Sequence, residues 1–354
     1  MKYFPKIGAC FSIILFVAVN FALAQADELT KERRAATIDA VLRLLKDKYA
    51  YPEIASQMEA AIRERQKRGE YDSLADGNRL AEKLTADLRA VFDDRHLRMS
   101  FSAKSIPAQS SRAGAPTPEE IAAVRMRQRR ENFGLQKVEI LKGNVGLIKL
   151  NYFAPLDWAA EAYAAALNVV ADTDALIIDV RDNGGSMDIN TIPFFCSYLF
   201  ESPVQIGDIF VRETNETRQL WTYARVAGRK YVDKPVYVLT ANRTASGAEA
   251  FVGQLKRLKR ATLVGEVTAG ATMPGGTFRV NENFSIWIST GRSVKGAAAN
   301  ENKGVAPDIP TVREKAFGEA YRLALEKLSE NAQDEEWKNE LKSIAAQAAK
   351  TGEN

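Results

Sequence analysis

The run "ALIIDV" at 175–180 constrains the chain more than any other stretch. Four apolar residues in succession, without alternation, make a strand that must be covered by the rest of the protein. "VGLIKL" at 145–150, "PVYVLT" at 235–240 and "ATLVG" at 261–265 share this character. Helical stretches at 156–171 and 246–259 separate them. Strands spaced by helices predict an α/β core with buried parallel strands, beginning near residue 137. A helix is expected after "RDNGGS", through about residue 200, and "GTFRV" and "FSIWIS" read as a hairpin around "NEN". Past residue 313 the chain turns rich in Ala, Glu and Lys, which reads as one or two helices packed outside the core.

The region before the core is different. Ile38, Val41, Leu42, Leu45 and Tyr49 repeat at helical spacing, Pro52 breaks that helix, Ile54, Met58 and Ile62 mark a second, and Leu80, Leu84, Leu88 and Val91 a third. Three short amphipathic helices predict a small N-terminal bundle over 25–92. "HLRMSF" at 96–101 alternates as a half-buried strand, with His96 on its polar face. The Ser-, Ala- and Pro-rich stretch 102–118 cannot form a core and reads as a linker or lid, and "EEIAAVRMRQRREN" as a helix leading into the core. The expected divisions are thus 1–24, 25–92, 93–136, 137–312 and 313–354.

Residues 1–24 carry Lys2 and Lys6, an apolar run from about Ile7 to Leu23, and a small-residue ending at Ala24. This pattern predicts a signal peptide cleaved after Ala24, placing the protein in the periplasm or outside the cell without a stable membrane anchor. After cleavage only Cys196 remains of two cysteines, so no internal disulfide is expected. Losing Lys2 and Lys6 takes the formal charge from +4 to +2, and with no basic tract a nucleic-acid partner is not expected.

The chain has one histidine, His96. With one mature cysteine and no H-E-x-x-H, neither a metal nor another cofactor is expected. Imidazole is the usual base for a serine nucleophile, because its pKa lies near working pH. Ser246, in "NRTASGAEAF", sits where a strand meets a helix. With Glu249 it fits an S-x-x-E capping box, and equally a nucleophile on a corner. "DVRDNGGS" places Gly184 and Gly185 in a turn whose amides could face a developing negative charge, or which simply needs positive φ. Glu301 precedes a Gly-Val-x-Pro-Asp turn in "ANENKGVAPDIP".

Taken in order, "ALIIDVRDNGGS", "KPVYVLTANRTASGAEAFVGQLKR", "ATLVGEVTAGAT" and "NKGVAPDI" resemble the serine peptidase superfamily of C-terminal processing peptidases, tricorn proteases and interphotoreceptor retinoid-binding protein, over about 137–312. The resemblance implies a crotonase-like (ClpP-like) core, a nucleophile at Ser246, and oxyanion donors at Gly247 and at Gly184 or Gly185. The processing-peptidase branch activates its serine with a lysine in a T-x-G-K context; here Ala271 holds that place. The tricorn branch uses a histidine near the start of the core and a glutamate before the Gly-Val-x-Pro-Asp turn, which His96 and Glu301 match. Arg95 stands where that branch has a serine, and Gly247 where it has an acidic residue. The stretch between Phe101 and Lys137 is too short for the PDZ domain of the processing peptidases. The implied activity is hydrolysis of a peptide or protein substrate by Ser246, His96 and Glu301. The retinoid-binding branch leaves open a non-catalytic lipid- or peptide-binding role, and the oligomeric state has no signature.

Overall fold

The computed structural model describes residues 29–108, 117–294 and 302–348. The expected signal segment, residues 109–116 of the lid stretch and Glu301 lie outside the described residues. None of the described helices is long and apolar enough to cross a membrane.

The first described elements are α1 (Lys31–Lys48), α2 (Pro52–Lys67), α3 (Gly77–Arg89), β1 (Arg98–Phe101) and α4 (Pro118–Arg130). Each helix start follows from local chemistry. Thr30 Oγ1 accepts the Arg33 N–H at the head of α1, and Asp76 Oδ1 accepts that of Arg79 at the head of α3. Pro52 occupies the first turn of α2, where a missing N–H costs nothing. Thr117 and Glu120 close a full capping box on α4.

The remaining elements are β2 (Leu135–Leu141), β3 (Val145–Leu150), α5 (Leu156–Val169), β4 (Ala175–Asp179), α6 (Thr191–Cys196), β5 (Gln205–Val211), β6 (Glu216–Trp221), β7 (Val236–Thr240), α7 (Gly247–Arg257), β8 (Thr262–Gly265), β9 (Gly275–Arg279), β10 (Phe284–Ser289), β11 (Gly291–Ser293), β12 (Ile309–Pro310), α8 (Ala316–Asn331) and α9 (Glu335–Ala348). Six strands form the central sheet in the order β12-β8-β7-β4-β3-β2, parallel throughout except for the antiparallel β2–β3 edge. Every residue of β4 and β7 is buried. One sheet face packs against α5, α6 and α7 through Ile178, Val238, Phe195 and Phe251, and the other against α8 and α9 through Ile177, Leu239, Ala320 and Leu325. The terminal helices therefore form a full layer of the core.

Three expectations need correction. The helix after "RDNGGS" spans only Thr191–Cys196, because residues 184–190 form loop around Asp188. His96 lies in the turn before β1, not on the strand. The N-terminal helices are not a bundle closed on itself. Their apolar faces share one cluster with Phe284, Ile286 and Ile288 of β10, and β1-β10-β9 forms a small sheet beneath them. Two of its three strands come from 275–289, so the chain returns from the core to complete the N-terminal unit. The hairpin was legible in the sequence; its packing partner was not. Residues 102–108 run beside this hairpin as coil, with the Ile106 N–H donating to Glu282 O at 2.6 Å. A second sheet, β11-β5-β6, was also not anticipated.

Ile286 is fully buried opposite Met99, where β10 meets β1. Truncation there leaves a cavity between helices and sheet. We expect Ile286→Ala to cost ~3 kcal/mol in urea unfolding, within the usual span for buried Ile→Ala changes. A change of a few tenths would show that the helices do not depend on the returning strand.

Candidate active site

Ser246 sits one residue before α7, with φ 54° and ψ −123°. A residue with a β-carbon rarely adopts that conformation, and it persists only where the surroundings impose it. They do so here. The Ser246 N–H donates to Ala271 O at 2.8 Å and to Glu249 Oε2 at 3.2 Å. Both halves of the S-x-x-E box are present, the Glu249 half as a hydrogen bond and the hydroxyl half with looser geometry, and Ser246 also borders the cleft. Glu249 is fully buried and also accepts from Thr268 Oγ1 (2.5 Å), Gly270 N (2.6 Å) and Ala271 N (2.7 Å).

The glycine turn after β4 lies directly against this corner. Asn183 is buried and organises it. Its Nδ2 donates to Leu150 O at 3.0 Å, its carbonyl accepts the Ala245 N–H at 3.0 Å, and its Oδ1 accepts the Gly185 N–H at 2.9 Å. The Gly184 N–H donates to Asn151 O at 3.2 Å. Both glycine amides are thus engaged within the scaffold, against the expectation that one of them faces the site. Gly185 has φ +127°, and a Cβ there would lie 2.7 Å from Ser246 Cβ. Among the described residues, the N–H groups that border the serine without an acceptor belong to Ser186 and Gly247. They are neighbours: Ser186 N lies 2.7 Å from where a Cβ on Gly247 would stand.

His96 arrives from the N-terminal unit. Its turn is gripped from both sides. Asp94, fully buried, accepts the N–H groups of His96 (2.9 Å) and Leu97 (3.2 Å) on Oδ1, and Tyr49 OH (3.1 Å) and Ser289 OH (2.6 Å) on Oδ2. Arg89 donates to the carbonyls of Arg95 (2.7 Å) and Leu97 (2.8 Å). The imidazole stacks on Trp287, with centroids 4.5 Å apart. Burial lowers its pKa below the ordinary value; the charge of Asp94 opposes the shift and Arg89 adds to it. Its Nδ1 is buried and has no hydrogen-bond partner among the described residues. His96, Ser246, Gly184, Ser186 and Gly247 all border one cleft of about 510 Å³. No hydrogen bond joins the Ser246 and His96 side chains here; such contacts commonly tighten only with substrate in place.

Residues 144–311 match the model of peptidase family S41, and residues 19–141 match the N-terminal domain of that family described from eukaryotic IRBP. The chain belongs to peptidase family S41. Curated relatives of this S41 chain include the carboxyl-terminal-processing protease of Synechocystis, 26% identical over 55% of this chain and 45% of that protein. The chloroplastic C-terminal processing peptidase of Tetradesmus obliquus is 25% identical over 48% of this chain and 35% of its own. The matched stretch therefore spans less than half the length of either relative. Among solved structures, a mutant of CPAF superposes with TM-score 0.54 at 13% identity, over 90% of this chain and 98% of that one. A putative peptidase from Parabacteroides merdae gives TM-score 0.51 at 17% identity, over 79% and 90%. At these identities the likeness is one of fold: a mixed α/β architecture shared with S41 structures.

Within this S41 chain, the place matched to the lysine of the processing peptidases is Ala271, buried, with its N–H on Glu249 and its carbonyl on the Ser246 amide. Asn302, next to Glu301, donates its N–H to Gly270 O at 2.9 Å and accepts from Arg95 Nη2 at 3.2 Å. Arg95 also donates to Ala269 O. Sequence reading missed Asp94, Arg89 and Trp287, which hold and cover the imidazole. "DDRHLR" did show a buriable acid two residues before His96, but nothing local pointed to Tyr49 or Ser289 as its partners. It also missed the cleft wall formed by β5, since 201–234 carries no motif.

The two glycines of the turn should separate in a stability test. A Cβ on Gly184 would meet nothing within 4 Å, whereas one on Gly185 collides with Ser246 and with positive φ. We expect Gly184→Ala to unfold within about 0.5 kcal/mol of the parent and Gly185→Ala to lose about 2 kcal/mol or more, read by thermal unfolding. Equal behaviour of the two would contradict the packing of Gly185 on the serine.

Proposed function

We propose that this chain is a serine peptidase in which Ser246 is the nucleophile and His96 its general base. The observation that carries this reading is the meeting, in one cleft, of a serine held on a strained helix start, the chain's only histidine, and two amides without acceptors among the described residues.

His96 takes the Ser246 proton as the hydroxyl oxygen attacks a peptide carbonyl, and returns it to the leaving amine. The oxyanion is received by the N–H groups of Gly247 and Ser186, with Gly184 and Gly185 shaping the turn that presents Ser186. One such donor is worth ~3 kcal/mol of transition-state stabilisation. The amino end of α7 adds a favourable dipole. Glu301, directly or through another group, orients His96 and stabilises the imidazolium. The contacts of its neighbour Asn302 with Gly270 and Arg95 support this, since Arg95 adjoins His96. With Ala271 in the lysine position, the base is imidazole. The leader-like residues 1–24 support action on peptide or protein substrates after export.

A basic imidazole must be neutral, so hydrolysis falls as pH drops through the pKa of His96. Burial lowers that pKa, so the acid limb should lie below the unperturbed value of about 6.5. We expect Ser246→Ala and His96→Ala to lower kcat/KM on peptide substrates by about 10³-fold or more while both stay folded. A serine-reactive fluorophosphonate should label the parent and not Ser246→Ala. Parent-level cleavage by His96→Ala, or an acid limb well above 6.5, would place the base elsewhere. Labelling-negative, cleavage-negative protein that binds peptides or lipids would favour the binding role.

A further inference from the structure

Resting on the peptidase reading above, we propose that the gully running along α7 away from Ser246 receives the side chain of the residue that supplies the scissile carbonyl, and that it selects large apolar side chains.

Gly247, Ala250 and Gln254 are spaced three and four residues apart and so share one face of α7. All three border the cleft that contains Ser246. Their size grows with distance from the serine. Ser186 packs on Gly247, so the open floor begins at Ala250, whose small side chain leaves the helix surface uncovered, and glutamine closes the far end. At 1.5 Å per residue the floor from Ala250 to Gln254 runs for about 6 Å. The facing wall is aliphatic: Ile192 from α6, and Ile206 and Ile209 from β5.

The floor is fixed in orientation. Gln254 is buried, and its Oε1 accepts Arg257 Nε at 2.8 Å, which turns its amide nitrogen toward Gly207 on β5. Two carboxylates also border the cleft, and each has backbone work. Asp188 accepts the N–H groups of Leu156 (3.1 Å) and Asn190 (2.9 Å), and Asp208 accepts that of Val294 (3.0 Å). A cationic side chain entering here would give up its hydration against an aliphatic wall, toward carboxylates already hydrogen-bonded. An apolar one carries no charge to desolvate on entering.

The test is cleavage of a peptide series that differs only at the residue before the cleaved bond: Phe, Leu, Ala, Lys and Glu. We expect Phe and Leu to exceed Ala by about 10-fold or more in kcat/KM, with Lys and Glu lowest, in the range a hydrophobic pocket can discriminate. Ala250→Phe should fill the gully. It should lower the ratio of kcat/KM on the Phe peptide to that on the Ala peptide by about 10-fold or more. Ala250→Leu, which adds less bulk, should move the same way if the larger variant unfolds. Ser246-dependent cleavage that prefers Lys, shows no preference, or responds to Ala250→Phe only through the residue after the bond would overturn the subsite and leave the nucleophile standing. Absence of Ser246-dependent cleavage across the whole series would overturn the peptidase reading, and the subsite with it.

Discussion

A single buried carboxylate supports the whole site. Glu249 accepts from the Ser246 amide, the Thr268 hydroxyl and the amides of Gly270 and Ala271. A charge that far from water must be satisfied by such donors, and hydrogen bonds to an ionised group are worth about 1.5–3 kcal/mol each. The first of the four holds the serine in its unfavourable backbone conformation. The other three bind the 268–271 segment to the head of α7. That segment then carries everything else: its carbonyls receive Arg95 at Ala269 and Asn302 at Gly270. Ser246, the histidine turn and Asn302 are thus referred to one point.

The site is shared between two units of the fold. The central sheet supplies Ser246 and the glycine turn. The N-terminal helices and the small sheet beneath them supply His96, through a turn clamped by Asp94 and Arg89. What joins the units is the hairpin β9–β10, which leaves the core, pairs with β1 and returns. Trp287, on that hairpin, is also the surface on which the imidazole stacks. The N-terminal unit and the cleft therefore both depend on the same strand. The third wall, β5 with β6 and β11, decides how much space lies beyond the serine.

Most of the core was legible because its signals are local and periodic. "ALIIDV" and "VYVLT" are buried along their whole length, and a strand that must be covered has few alternatives to a central position. The helix starts at Thr30, Asp76 and Ser246 follow from side chains within four residues. The motif order also carried the family, which the match over 144–311 bears out. Where reading failed, a long-range partner had intervened. "DNGGS" correctly indicated a turn needing glycine, but Asn151 and Asn183 capture the glycine amides, and Asn151 lies more than thirty positions away. The parallel bridge of Phe153 with Ser186 likewise joins segments more than thirty positions apart.

The sequence by itself determined which residues could do chemistry. One histidine, one serine at a strand-to-helix corner and an alanine in place of a lysine leave few combinations, because composition and local propensity are properties of the chain alone. Only the tertiary structure decided which atoms are available. Whether an amide faces a cleft or a carbonyl, and whether an imidazole is buried against a tryptophan, depend on segments far apart in sequence. Those segments meet only because burying their apolar faces is favourable, and polar groups caught between them must find partners there.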